Sequence, residues 1–274
     1  MKKPFSILLT LPLFLAACSP ADPLPSGISN ETSVYMEDSH QYTEEPEGIE
    51  IAEILYYPEK PKAIGYLAQP KEKGDYPGII LIHEWWGPNQ DMIEKANKFA
   101  SQGYVALVVD LYEGKRAQTP DEAGILAEQV RESTDEAFNN LSAALDYLKN
   151  LDSVDPERLA SVGWCFGGQW SYEMAKNDLG TDVSIMYYGR FHPEDDLEMM
   201  KASIIGHFGE DDASIAVDDV KQFQMTLREH SDKHEIYIYE NAGHAFANEE
   251  SDAYVEEAAQ TAWQRSLEFL EKHL

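Results

Sequence analysis

From Ile49 onward, short apolar runs alternate with longer stretches in which apolar residues recur every three to four positions. Residues 78–82, Gly-Ile-Ile-Leu-Ile, form an unbroken apolar run of strand length, the mark of a strand covered on both faces. Residues 104–109, 159–163, 183–188, 203–208 and 235–239 read as further strands. Upstream, residues 49–57 alternate and predict a strand, 58–61 form a Pro-bounded turn, and 63–68 predict a second strand. Between the runs, residues 91–102 place Ile93, Ala96 and Ala100 on one side and stop at Gly103, a helix signature. Residues 120–150 predict one or two amphipathic helices, and further helices are expected from the glycine-rich turn at 163–168 to about Asn177, near 216–230 and near 252–273. Strand–helix units repeated in this way predict an α/β fold, with a mostly parallel central sheet and helices on both faces, in one domain over residues 49–274.

The chain before this domain follows other rules. Lys2 and Lys3 precede an apolar stretch from Phe5 to Ala17. That stretch is shorter than the roughly 20 residues a bilayer span needs. A charged start, a short apolar middle and small residues before a break describe an export signal over residues 1–17. Leu15-Ala16-Ala17-Cys18 resembles the lipobox of bacterial lipoproteins. The resemblance implies cleavage before Cys18, lipidation of its thiol, and a membrane-anchored protein of the bacterial cell envelope. Residues 18–48 then read as a tether, rich in proline and acids and without lysine or arginine.

Composition narrows the function classes. Twenty-one Lys and Arg against 50 Asp and Glu give a formal charge of −29. A chain this acidic does not neutralise phosphates, so no nucleic-acid partner is expected. Hydrophobic residues make up 43% of the chain, enough for a full core. The two cysteines, Cys18 and Cys165, are too few for a disulfide framework or a cysteine zinc site.

In an open parallel sheet, functional groups gather beyond the carboxyl ends of the strands, and four segments fall there. Gly163-Trp164-Cys165-Phe166-Gly167-Gly168 lies between a strand and a helix. This is the nucleophile-elbow pattern with cysteine in the place usual for serine. Asn241-Ala242-Gly243-His244 follows the strand 235–239, so His244 is a candidate base and acid. Gly209-Glu210-Asp211-Asp212 follows the strand 203–208, and either aspartate could orient the imidazole. The order nucleophile, acid, histidine is that of α/β-hydrolases. His83-Glu84-Trp85-Trp86-Gly87 ends the strand 78–82. It starts like a zinc-protease motif, but Gly87 stands where the second histidine would, so no metal is expected. The loop after this strand normally supplies an oxyanion N–H, here that of Trp85.

Together HEWWG, the DLY segment Asp110-Leu111-Tyr112, GWCFGG, GEDD and AGHAF resemble the dienelactone hydrolase family of the α/β-hydrolase fold over roughly residues 49–274. The resemblance implies Cys165 as nucleophile, His244 as base and Asp212, favoured over Asp211 by the family spacing, as its partner. It implies an oxyanion hole from the backbone N–H groups of Phe166 and Trp85. It also implies that Glu84 holds the resting thiol until substrate shifts it. No metal or organic cofactor is required. In that family one arginine follows the histidine motif and another follows the DLY-like segment, both toward a substrate carboxylate. Here Asn248 follows AGHAFA, and Lys115, Arg116 or Arg190 are the candidate anion contacts. Trp85, Trp86, Trp164 and Tyr112 are candidates to line an aromatic acyl pocket.

The expected function is hydrolysis of a small carboxylic ester or lactone through a Cys-His-Asp triad and a thioester acyl-enzyme. A thioesterase or acyl transferase on the same site, and a catalytically silent envelope binding protein, are the alternatives.

Overall fold

The computed structural model describes residues 47–274, so the export signal, Cys18 and nearly all of the tether lie outside the described residues. Eight strands form one sheet: β1 (Ile49–Ile54), β2 (Gly65–Pro70), β3 (Tyr76–Ile82), β4 (Val105–Val109), β5 (Val154–Trp164), β6 (Val183–Tyr187), β7 (Ser203–Gly209) and β8 (Glu235–Tyr239). Their spatial order is β1-β2-β4-β3-β5-β6-β7-β8. β2 pairs antiparallel with β1 and with β4; every later pairing is parallel. Among the described residues, five helices lie between strands and a sixth follows β8: α1 (Gln90–Ser101), α2 (Pro120–Glu132), α3 (Thr134–Lys149), α4 (Phe166–Lys176), α5 (Val217–His230) and α6 (Glu256–His273).

The core follows from the strand period of two. Ile79 and Leu81 of β3 pack with Phe99 of α1 and Phe269 of α6 on one face, while Ile80 and Ile82 pack with Leu141 and Leu145 of α3 on the other. Central strands are therefore covered on both faces: all five residues of β4 and of β6 are buried, and Ser184 among them is hydrogen-bonded to Ser171. α5 closes the second face over β7 through Val220, Phe223 and Leu227.

One choice the sequence pattern left open and one departure from it have local causes. Residues 120–150 split into two helices at Ser133, whose N–H donates to Val130 O, ending α2 before α3 begins. β5 starts at Val154, five residues before the apolar run. Its Asp155-Pro156-Glu157-Arg158 stretch hides the strand, and the pairing with β3 jumps from Asp155 to Leu159 across Pro77/Gly78.

Candidate active site

At the strand ends that face the cleft, backbone crowding dictates several residues. At the end of β5 the chain reverses into α4 so tightly that a Cβ on Gly163 would lie 2.0 Å from Gly167 O. A Cβ on Gly167 would lie 2.0 Å from Ile82 O. Only glycine fits at both positions. Cys165 sits at the apex with φ +53, a left-handed backbone unusual for a residue with a side chain. The turn is held from both sides: Cys165 N–H donates to Tyr187 O at 2.9 Å, and Gln169 N–H donates to Cys165 O at 3.1 Å.

The loop after β7 is drawn onto the loop after β8, with Asp211 N–H donating to Ala242 O at 2.9 Å. This brings Asp212 under His244. Asp212 Oδ2 accepts from His244 Nδ1 at 2.8 Å, and Oδ1 accepts the N–H groups of Ser214 (2.7 Å) and Ile215 (3.2 Å). His244 Nε2 faces Cys165 Sγ at 3.1 Å. Three residues from three loops thus form one continuous chain of contacts. Asp211 is exposed and faces away.

Charge follows this geometry. Burial alone would raise the Asp212 carboxyl, but His244 and the two backbone donors bring it below the ordinary value. Burial also opposes a charged His244, yet Asp212 and Cys165 together push it up to about 10. An imidazolium between carboxylate and sulfur is therefore the favoured state near neutral pH.

Glu84 lies buried in the same cleft, but it does not contact the thiol. Its Oε2 accepts from Asn248 Nδ2 at 2.8 Å and its Oε1 accepts from Tyr188 Oη at 3.4 Å. The resting contact between Glu84 and Cys165 implied by the resemblance is absent from this arrangement. Burial raises the Glu84 carboxyl, partly offset by Lys95 and Asn248.

Trp85 occupies the second position of a turn closed by Gly87 N–H on Glu84 O (3.1 Å), which leaves its own N–H outside that bond. Phe166 opens α4, so its N–H is one of the helix's unclaimed first-turn donors. The two elements that carry these N–H groups meet at the Cys165 turn. His83, by contrast, points into the core: Nδ1 donates to Glu84 O at 2.6 Å, Leu111 N–H donates to Nε2 at 3.3 Å, and burial drops its pKa to about 4.

The cleft has a volume of about 760 Å³. Trp86 and Arg190 line it, as do Trp85, Phe166 and Ile215. Three expected pocket residues do not. Trp164 is the last residue of β5 and its side chain falls on the opposite face, stacked on Tyr187 at 5.3 Å with the Lys95 ammonium 5.2 Å from its ring. Tyr112 is a buttress: its hydroxyl donates to Trp85 O at 3.0 Å, and its own N–H is held by Asp110 Oδ1 at 2.8 Å. Arg116, like Lys115, lies outside the cleft behind Gly87.

Sequence reasoning missed two groups. Arg131 of α2 reaches the cleft wall, its guanidinium 5.5 Å from the Phe166 ring and its Nε donating to Gln169 at 3.0 Å. An arginine in an amphipathic helix carries no signal of this. Tyr188 and Asn248, the partners of Glu84, are the other pair. Asn248 was visible as the residue after the histidine motif, but its contact was not.

A parallel sheet of this order, with a strained cysteine turn after β5 and a histidine after β8, defines an α/β-hydrolase. Residues 64–274 match the model of the dienelactone hydrolase family, and the chain belongs to that family; it is a carboxylic ester hydrolase. Protein usf of Aquifex pyrophilus is 33% identical over 221 residues, covering 78% of this chain and 94% of the relative. A Bradyrhizobium protein named as a candidate 2-oxo-3-(5-oxofuran-2-ylidene)propanoate lactonase is 30% identical over 225 residues, covering 77% and 90%. A candidate dienelactone hydrolase from Klebsiella pneumoniae superposes with a TM-score of 0.67 at 25% identity, covering 81% of this chain and 98% of that one.

Proposed function

We propose that the protein hydrolyses a small carboxylic ester or lactone with Cys165 as nucleophile, His244 as proton carrier and Asp212 as its orienting partner. The observation that carries this reading is His244, bridging Cys165 Sγ at 3.1 Å and Asp212 at 2.8 Å. The thiolate attacks the substrate carbonyl carbon, and the carbonyl oxygen becomes an oxyanion facing the N–H groups of Trp85 and Phe166. Such a donor is typically worth about 10²–10³ in rate. The C–O bond breaks as His244 Nε2–H passes its proton to the departing alkoxide, leaving a thioester. His244, now neutral, takes a proton from water; the hydroxide adds to the thioester, the C–S bond breaks, and the thiolate–imidazolium pair is restored. Trp85, Trp86, Phe166 and Ile215 supply an apolar wall, and Arg190 a cation at the cleft. The lipobox-like Leu15–Cys18 segment supports placement in the cell envelope through a lipid on Cys18.

The test is turnover of p-nitrophenyl esters and simple lactones by the full chain beside Cys165→Ala. Hydrolysis should vanish in the variant while its circular dichroism is unchanged. Retained turnover would remove Cys165 from the reaction.

A further inference from the structure

The Asp212–His244–Cys165 chain accounts for neither Tyr188 nor Asn248, yet both are held with care. Tyr188 is fully buried and has φ +39, a strained backbone state for a non-glycine residue that persists only where the surroundings enforce it. Its N–H donates to His207 O at 2.8 Å, and its ring lies 5.1 Å from that of His244 and 5.5 Å from that of Phe246. Asn248 is oriented from its far side. Its Oδ1 accepts from Glu250 N–H at 2.9 Å, which leaves Nδ2 to face the cleft. The two side chains converge on one group, each donating to a different oxygen of the buried Glu84 carboxyl. Cys165 Sγ meanwhile faces His244.

We propose that Asn248 and Tyr188 are positioning residues that clamp Glu84 away from Cys165, so that the thiol is engaged with His244 before any substrate enters. The inference rests on Cys165 being the nucleophile. Released from the clamp, the Glu84 carboxyl is free to turn to the thiol. A carboxylate there disfavours the thiolate through like charge and draws the sulfur from the imidazole. The chain thus departs from a resting state in which the glutamate silences the thiol, and it does so through Asn248, which stands where the resemblance leads one to expect an arginine. The other charged or titratable groups acting on Glu84 are Lys95 and Asp91 of α1 and His244; Cys165 acts on the hydroxyls of Tyr112 and Tyr188 and on His244. All except the Tyr188 hydroxyl stay in place in the variants whose alkylation is compared below.

The experiment is the rate of Cys165 alkylation by iodoacetamide in the substrate-free full chain across pH 5–9, read by peptide mass mapping to separate Cys165 from Cys18. Wild type should react readily at neutral pH. Asn248→Ala should react about tenfold more slowly at neutral pH and recover at higher pH, as expected when a carboxylate beside the sulfur disfavours the thiolate. Tyr188→Phe, which keeps the ring and loses only the hydroxyl, should move the same way. The double variant Asn248→Ala/Glu84→Gln should return to the wild-type profile, because no carboxylate remains to approach the sulfur. A loss of packing would not be rescued by a second substitution, so rescue separates positioning from structure. Wild-type profiles in both Asn248→Ala and Tyr188→Phe, or a double variant as slow as Asn248→Ala, would overturn the clamp. Failure of the nucleophile reading looks different: Cys165→Ala would then still turn over ester.

Discussion

At the scale of single residues, adjacent acids have opposite fates. Asp211 and Asp212 are equally placed by sequence, but only Asp212 has a buried side chain on His244 Nδ1. Asp212→Asn should lower kcat/KM by about 10²–10⁴-fold, while Asp211→Asn stays near wild type in the same ester assay. His244 makes a prediction for stability. Its folded-state pKa is raised to about 10, above the ordinary 6.5, so the protonated form stabilises the fold. That contribution is fully present below about pH 6.5 and is lost as pH rises through about 10. The difference in thermal midpoint between wild type and His244→Gln should therefore be largest at pH 5–6.5 and shrink steadily toward pH 10. A difference that grows with pH would mean the imidazole is neutral in the fold.

At the scale of elements, the turn between β5 and α4 shows what a strand–helix junction costs in sequence freedom. The glycines around Cys165 have backbone atoms, not side chains, within 2.0 Å of where a Cβ would stand, and backbone cannot swing aside. Gly167→Ala should cost at least the upper end of the about 1–3 kcal/mol typical of overpacking, visible as a depressed denaturation midpoint. A wild-type midpoint would show that the turn can open. The DLY segment works at the same scale. Asp110, its pKa raised by burial to about 6, takes the N–H groups of Tyr112 and Gly114, and Tyr112 in turn props the Trp85 carbonyl. A motif that looked like a pocket wall is a brace for the Trp85 peptide at the cleft.

For the whole molecule, net charge adds a global repulsive term. A formal −29 on 274 residues makes the folded state repel itself. Salt shortens the reach of that repulsion to about 8 Å at 0.15 M and about 3 Å at 1 M. The thermal midpoint should thus rise between low salt and about 0.5 M NaCl, and calorimetry across that series checks it. A falling midpoint would show that attractive pairs such as Lys95 with Asp91 and Arg158 with Asp155 outweigh the net repulsion.

The alternation of strands and helices, the tight turn at Cys165 and the chain order of Cys165, Asp212 and His244 were all legible in the sequence. They rest on local properties: apolar runs, helical periodicity and glycines where backbones must meet. Tertiary structure alone decided which tryptophan faces the cleft. Trp164 adjoins Cys165 in sequence, yet the end of β5 sends it to the far side of the sheet, a consequence of the strand period of two. It also decided that Glu84 belongs to Tyr188 and Asn248, residues 104 and 164 positions away. Those contacts exist because β3, β6 and β8 run parallel in one sheet, so that the loops following them gather at the same edge. A spatial order of strands is a property of the whole chain, and no local pattern encodes it.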